Sequence, residues 1–144
     1  SCGEVTIRSP YADDNPIIKP NYLSSQTDKD IAAKSITLTR NIFATEAMRK
    51  YEPSEFLPGA QHQSPQALAE QAGNISTSIF HPVGTAKMGT GKDAVVDNEL
   101  NVYGVQNLRV VDASIMPKIT SGNTNSPTMM IAEKASDIIL QNRR

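Results

Sequence analysis

Proline and glycine restrict where this chain of 144 residues can form regular structure, because nine prolines and eight glycines are spread along it. Residues 28–50 carry neither of them. In that stretch a stripe through Ile31, Leu38 and Ile42 recurs at helical spacing. We predict one long helix over residues 28–50, with this stripe facing a core or a neighbouring domain.

Two further helices are predicted from paired serine-proline start signals. Ser64-Pro65 and Ser126-Pro127 each place a capping serine before a proline that suits the first helical position. The first of these helices is expected to end near Ala72, because Gly73 follows it. The second is expected to run to about Leu140, with its buried face formed by Ile131, Ala135, Ile138 and Ile139.

Short strands are predicted where β-branched and other apolar residues alternate or cluster between turn residues. Residues 11–22, with their prolines and aspartates, are expected to form an extended loop. The mixture of predicted helices and short strands indicates the fold class α+β. The predicted strands cover residues 4–9, 75–80, 95–96, 100–102 and 108–112.

Composition argues against several classes of function. The net charge is −1 without long runs of either sign, so nothing points to nucleic acid as a partner. No apolar stretch approaches the roughly 20 residues of a membrane-spanning helix. With one cysteine, two histidines and no HExxH spacing, neither a disulfide within the chain nor a metal site is expected.

Two segments hold residues that core packing alone would not select. The run FHPVGTAKMG at residues 80–89 places His81 after a predicted strand and before a glycine turn, where it is suited to line a cleft. A lone histidine is nevertheless more often a surface or core residue. The run SGNTNSP at residues 121–127 lies at a helix N-terminus, which can stabilise negative charge. A well-capped surface loop is the alternative interpretation.

With the intervening run AVVDNELNVYGVQNLRVVDASIMP at residues 94–117 and the extended run SGNTNSPTMMIAEKASDIIL at 121–140, the chain closely resembles the glucose–methanol–choline (GMC) family of flavin oxidoreductases. The resemblance covers nearly the whole chain and is choline dehydrogenase-like. It implies that residues 1–94 belong to a substrate-binding domain with an antiparallel sheet and helices on one face. It also implies that residues 95–144 carry a C-terminal strand and helix that return to the FAD-binding domain. The family's GxGxxG fingerprint is missing here, so we expect a C-terminal part of a larger enzyme, inactive alone.

The resemblance also implies a reaction and a catalytic pair. His81 matches the catalytic histidine, and Asn123 matches its partner, which is histidine in some members and asparagine in others. The implied chemistry is oxidation of a small primary or secondary alcohol to the carbonyl, with His81 as base and hydride transfer to flavin N5. Histidine suits the first of these steps because its ordinary pKa lies near neutrality.

Five further residues are implied to approach the cofactor FAD. Asp112 and Ala113 match the segment near the FAD phosphate and ribityl groups. Asn125, Ser126 and Pro127 match the turn near the flavin ring, where a helix dipole would stabilise negative charge. Tight FAD binding is expected only together with the missing N-terminal domain.

Alternatives remain open at this point. A non-catalytic binding module with this fold, or a hydroxynitrile lyase-type activity on the same scaffold, would keep the same framework. No motif separates an oxidase from a dehydrogenase. The partner we expect is the upstream FAD-binding part of the same enzyme, and self-association into a homo-oligomer would serve the same need to cover apolar surface.

Overall fold

The computed structural model describes residues 1–141, which fall into two compact units: unit 1, Ser1–Thr77, and unit 2, which begins at Ser78. The assignment of residues 1–94 and 95–144 to two domains concerns a larger protein and stays a prediction. Unit 1 contains β1 (Glu4–Thr6), β2 (Ile17–Lys19), α1 (Gln26–Phe43), α2 (Glu46–Arg49) and α3 (Pro65–Ile75). Unit 2 contains a 3-10 turn (Ala113–Ile115) and α4 (Asn125–Gln141).

A short antiparallel pair opens unit 1. β1 and β2 pair with Val5 opposite Ile18, and the carboxylate of Glu4 lies 2.9 Å from the Lys19 ammonium. The prediction of a loop over residues 11–22 is therefore wrong at β2, where two adjacent isoleucines favour extended pairing. The predicted strand over residues 4–9 is shorter than expected. Coarsely, the α+β prediction is confirmed as a mixture of helices and one small antiparallel sheet.

The predicted helix over residues 28–50 is two helices, α1 and α2. The break falls at Thr45, whose backbone is extended and whose hydroxyl donates to the Ile42 carbonyl at 2.7 Å. A threonine hydroxyl offers the backbone such an alternative to continued helix. The start of α1 is capped by Ser25, which accepts a hydrogen bond from the Asp28 N–H.

The apolar stripe of α1 does not face the core of unit 1, and its contact with a neighbouring domain stays a prediction. Ile31, Leu38 and Ile42 are 59%, 61% and 52% exposed, whereas Ala33 is buried. α1 packs against α3, which buries Leu68 and Ala72.

Arg40, which lies in α1, holds the loop that comes after α2. Its guanidinium bonds both carboxylate oxygens of Glu55, at 2.9 and 2.7 Å, and also donates to the carbonyls of Gly59 and His62. This bidentate contact with Arg40 holds the pKa of Glu55 below its ordinary value. The loop over residues 55–62 is thus ordered by polar contacts rather than by regular structure.

Unit 2 is built from isolated bridges around one core. Single bridges at Met88–Val96, Val96–Val102 and Asn101–Arg109 replace the predicted strands at residues 95–96, 100–102 and 108–112. The predicted buried face of the last helix is confirmed at Ile131 and Ala135, and Ile138 and Ile139 are half-buried. The core cluster consists of Val96, Leu100, Ile115, Met116, Ile131 and Ala135. No helix within residues 1–141 has the length and apolar character needed to cross a bilayer.

The packing of unit 1 predicts that two identical substitutions differ in cost. Leu68→Ala, at a leucine only 3% exposed, should lower the free energy of unfolding by about 2–5 kcal/mol because it leaves a cavity. Leu38→Ala, on the exposed face of α1, should change the free energy of unfolding by less than about 0.5 kcal/mol. Urea unfolding of the 144-residue chain, followed by far-UV circular dichroism, measures both, and equal costs would contradict this packing.

Candidate active site

The segment that carries His81 is sharply bent on both sides of the histidine. Phe80 lies in the left-handed region with φ +63°, so the predicted strand over residues 75–80 is wrong: α3 continues to Ile75, and residues 76–79 are irregular. Gly84 has φ +84°, and a Cβ there would lie 3.1 Å from the Met116 carbonyl oxygen. A non-glycine residue with positive φ is unusual and often marks a functional segment.

Backbone hydrogen bonds fasten the continuation of this segment to the 3-10 turn. The Ala86 N–H donates to the Ser114 carbonyl at 3.1 Å, and the Met88 N–H donates to the Ile115 carbonyl at 2.8 Å. Next to them, the Gly89 N–H donates to the backbone carbonyl of Val96. The side chain of Val96 is fully buried. The His81 segment therefore rests on the core of unit 2.

The imidazole of His81 is half-buried and makes one side-chain hydrogen bond. Its Nδ1 lies 2.9 Å from the Thr124 hydroxyl oxygen. Thr124 is 8% exposed, and it is the one polar residue in the buried class among residues 1–141. The contact fixes the orientation of the ring and leaves Nε2 as the nitrogen that can meet another group.

The predicted partner of His81 is not the residue that holds it. Asn123 is exposed, and within the described part of the chain its amide forms no hydrogen bond. It immediately precedes Thr124, so the loop that carries Asn123 also carries the residue bonded to His81. The catalytic role of Asn123 stays a prediction.

The residues predicted to approach FAD lie on two segments that pack together, since the 3-10 turn contacts α4. The Asp112 carboxylate begins the turn by accepting the Ser114 N–H at 2.8 Å, and Ala113 packs against the core. The first two residues of α4, Asn125 and Ser126, are exposed, and Pro127 is half-buried. The first turn of α4 carries no acidic side chain, so its N-terminus is suited to an electron-rich group. The predicted contacts with FAD remain predictions.

A carboxylate turn at Asp97 directly follows the core residue Val96. Oδ1 of Asp97 accepts the backbone N–H groups of Glu99 and Asn101 at 2.8 and 2.9 Å. These bonds, led by that from the Asn101 backbone, hold the pKa of Asp97 below its ordinary value. The turn positions Val96 for its bridges to Met88 and Val102.

A groove of about 690 Å³ lies in unit 1, between α1 and residues 53–58. Its lining contains none of the seven predicted site residues. Within residues 1–141 no three His, Cys, Asp or Glu side chains come together in a way that could hold a metal ion.

The sequence pattern does not single out Thr124, the hydrogen-bond partner of His81. In the sequence it is one of several polar residues in the loop before the last helix. A signal was present in Pro127, three residues further on, which lacks the N–H that a capping hydroxyl usually accepts. A capping residue without its usual donor is free to bond elsewhere.

The family model of the GMC oxidoreductases matches residues 1–132. The chain belongs to the GMC oxidoreductase family. Mitochondrial choline dehydrogenase from Homo sapiens is 48% identical over 141 residues, which are 96% of this chain and 24% of that protein. An alcohol dehydrogenase (acceptor) from Pseudomonas putida is 42% identical, over 98% of this chain and 26% of its own length.

Solved structures of the family agree with the fold. An FAD-dependent oxidoreductase from Chaetomium thermophilum superposes with a TM-score of 0.89 at 32% identity, covering 99% of this chain and 25% of that structure. The chain thus spans about a quarter of the length of the relatives it matches. The resemblance noted in the sequence is confirmed as family membership.

The Asp97 turn generates a prediction about pH. A carboxylate whose pKa is lowered on folding contributes stability above its unfolded pKa, near 3.9, and that contribution is lost as the pH falls through the lower folded value. Asp97→Asn should therefore lower the urea midpoint at pH 7. The difference from the unmodified chain should stay constant down to about pH 5 and shrink below about pH 4. A difference that does not change with pH would contradict the role given to Asp97.

Proposed function

We propose that this chain is the substrate-binding, catalytic part of an FAD-dependent enzyme that oxidises a small alcohol to the carbonyl. The observation that carries the proposal is the half-buried His81, held through Nδ1 in a chain of the GMC family. The names of the relatives, a choline dehydrogenase and an alcohol dehydrogenase, support an alcohol as substrate. We further infer that residues 1–94 belong to a substrate-binding domain with an antiparallel sheet, and that residues 95–144 return to the FAD-binding domain.

His81 acts as the base in this proposal. Alcohol oxidation removes a proton from oxygen and a hydride from the adjacent carbon, and a neutral imidazole can accept the proton at Nε2 while Nδ1 stays bonded to Thr124. The exposed amide of Asn123 can donate a hydrogen bond to the alcohol oxygen and hold it within reach of the ring.

Five residues of this chain would hold the cofactor. When bound, FAD supplies the acceptor for the hydride. The exposed N-terminus of α4 at Asn125 and Ser126, followed by Pro127, would face the ring, and Asp112 and Ala113 would approach the phosphate and ribityl groups. The remaining contacts would come from an upstream FAD-binding part, in keeping with relatives about four times longer than this chain.

Replacement of the base should separate chemistry from cofactor binding. In a protein that joins this chain to its FAD-binding part, His81→Ala should slow flavin reduction by a small alcohol about 10²- to 10⁴-fold. Bound FAD, measured by its visible spectrum, should remain. His62→Ala, the other histidine of the chain, is the matched control and should reduce at the unmodified rate.

The same flavin-reduction measurement can also contradict the proposed function. If the unmodified protein holds FAD and no small alcohol bleaches its spectrum, the alcohol-oxidising function is wrong. If His81→Ala is reduced as fast as the unmodified protein, His81 is not the base.

The amide of Asn123 can be tested on its own. Asn123→Ala should lower kcat/KM for the alcohol about 10-fold or more, because one hydrogen bond to the substrate oxygen is lost. The variant should keep its FAD and its thermal midpoint, since this side chain is exposed. Unchanged kcat/KM would remove Asn123 from the site.

A further inference from the structure

We propose that Thr124 is a positioning residue for His81: its hydroxyl oxygen accepts the Nδ1–H of the imidazole, which keeps the lone pair of the ring on Nε2. The contact is present in the structure at 2.9 Å. Its catalytic consequence rests on the proposed function, in which Nε2 takes the proton of the alcohol.

The three long helices of the chain show why this hydroxyl is available. Ser25 and Ser64, which precede α1 and α3, each accept the backbone N–H of the third helical residue, at 3.2 and 3.1 Å. Thr124 occupies the same place before α4, but the third helical residue there is Pro127, which has no N–H. Among the described residues no backbone N–H donates to the Thr124 hydroxyl, so the lone pairs that cap the other two helices are free there.

Thr124 is also held firmly enough to orient a ring. Its backbone carbonyl accepts both the N–H and the hydroxyl of Thr128, at 3.0 and 2.7 Å. The residue is 8% exposed, so few competing waters reach its side chain. A hydroxyl fixed in this way restricts the direction of the imidazole ring.

The two neutral forms of the imidazole have different chemistry. With the proton on Nδ1 and bonded to Thr124, Nε2 has a lone pair and can take the proton from the alcohol oxygen. The product of that step is an imidazolium in which the Nδ1–H remains bonded to the Thr124 oxygen. With the proton on Nε2 instead, His81 could only donate to the substrate. When the Thr124 oxygen accepts the Nδ1–H, as proposed, Thr124 holds His81 in the form that acts as a base.

The protonated nitrogen can be observed directly by NMR. The protein that joins this chain to its FAD-binding part is labelled with ¹⁵N in histidine, and the His81 signals are assigned with His81→Asn. In alkaline solution, where imidazoles are neutral, the unmodified protein should carry the proton on Nδ1. Thr124→Val should shift the population towards Nε2–H, and Thr124→Ser, which restores the hydroxyl, should return it.

Flavin reduction gives the second readout. Thr124→Val should slow reduction at saturating alcohol about 10- to 100-fold while KM changes little, because the base is misoriented rather than the substrate released. Thr124→Ser should recover most of the rate. Thr120→Val removes an exposed hydroxyl from the same loop, one that bonds only the Gly122 carbonyl among the described residues, and it should leave rate and proton position unchanged.

Each outcome supports or overturns the inference. A proton on Nε2 in the unmodified protein, or a Thr124→Val variant that matches it in both readouts, shows that Thr124 does not position His81. A loss of rate that Thr124→Ser does not recover shows a purely structural role. If alcohol fails to reduce the unmodified protein, the proposed function fails, while the NMR experiment still decides the His81–Thr124 contact.

Discussion

The hydrogen bonds that tie residues 86–88 to the 3-10 turn are the contacts on which the candidate site depends. Unit 2 has one helix and no extended strands among its described residues, so regular pairing does not hold the His81 segment in place. The backbone bonds from Ala86 and Met88 to the 3-10 turn hold the segment instead. The 3-10 turn itself packs on α4. The histidine and the start of α4 are thereby held on one core.

The missing N–H of Pro127 links a rule about helix starts to the chemistry of the site. The hydroxyl oxygen of a serine or threonine ahead of a helix normally accepts a backbone N–H of the first helical turn, as in Ser25 and Ser64. Ahead of α4 the third helical residue is Pro127, which has no N–H to donate. The hydroxyl oxygen of Thr124 is hydrogen-bonded to the imidazole of His81 instead. One proline can therefore convert a stabilising cap into a group that orients a side chain.

The sequence predicted best where local chemistry decides the structure. The Ser64-Pro65 signal correctly places the start of α3, and the periodicity of α4 correctly identifies Ile131 and Ala135 as buried. Strands were predicted poorly, because short apolar runs such as residues 100–102 form single bridges when their neighbours in space are turns. The bend at Phe80 was also missed, since nothing in the local sequence requires a phenylalanine to adopt positive φ.

The exposed stripe of α1 shows a different limit of prediction. Periodicity reports that a face is apolar, but it does not say which neighbour covers that face. In unit 1 the contact with α3 uses the face of Ala33, and Ile31, Leu38 and Ile42 stay exposed. A similar limit applies to His81, which the family motif singles out but whose hydrogen-bond partner the local sequence does not show. In the structure that partner is the buried Thr124, 43 residues away in the chain.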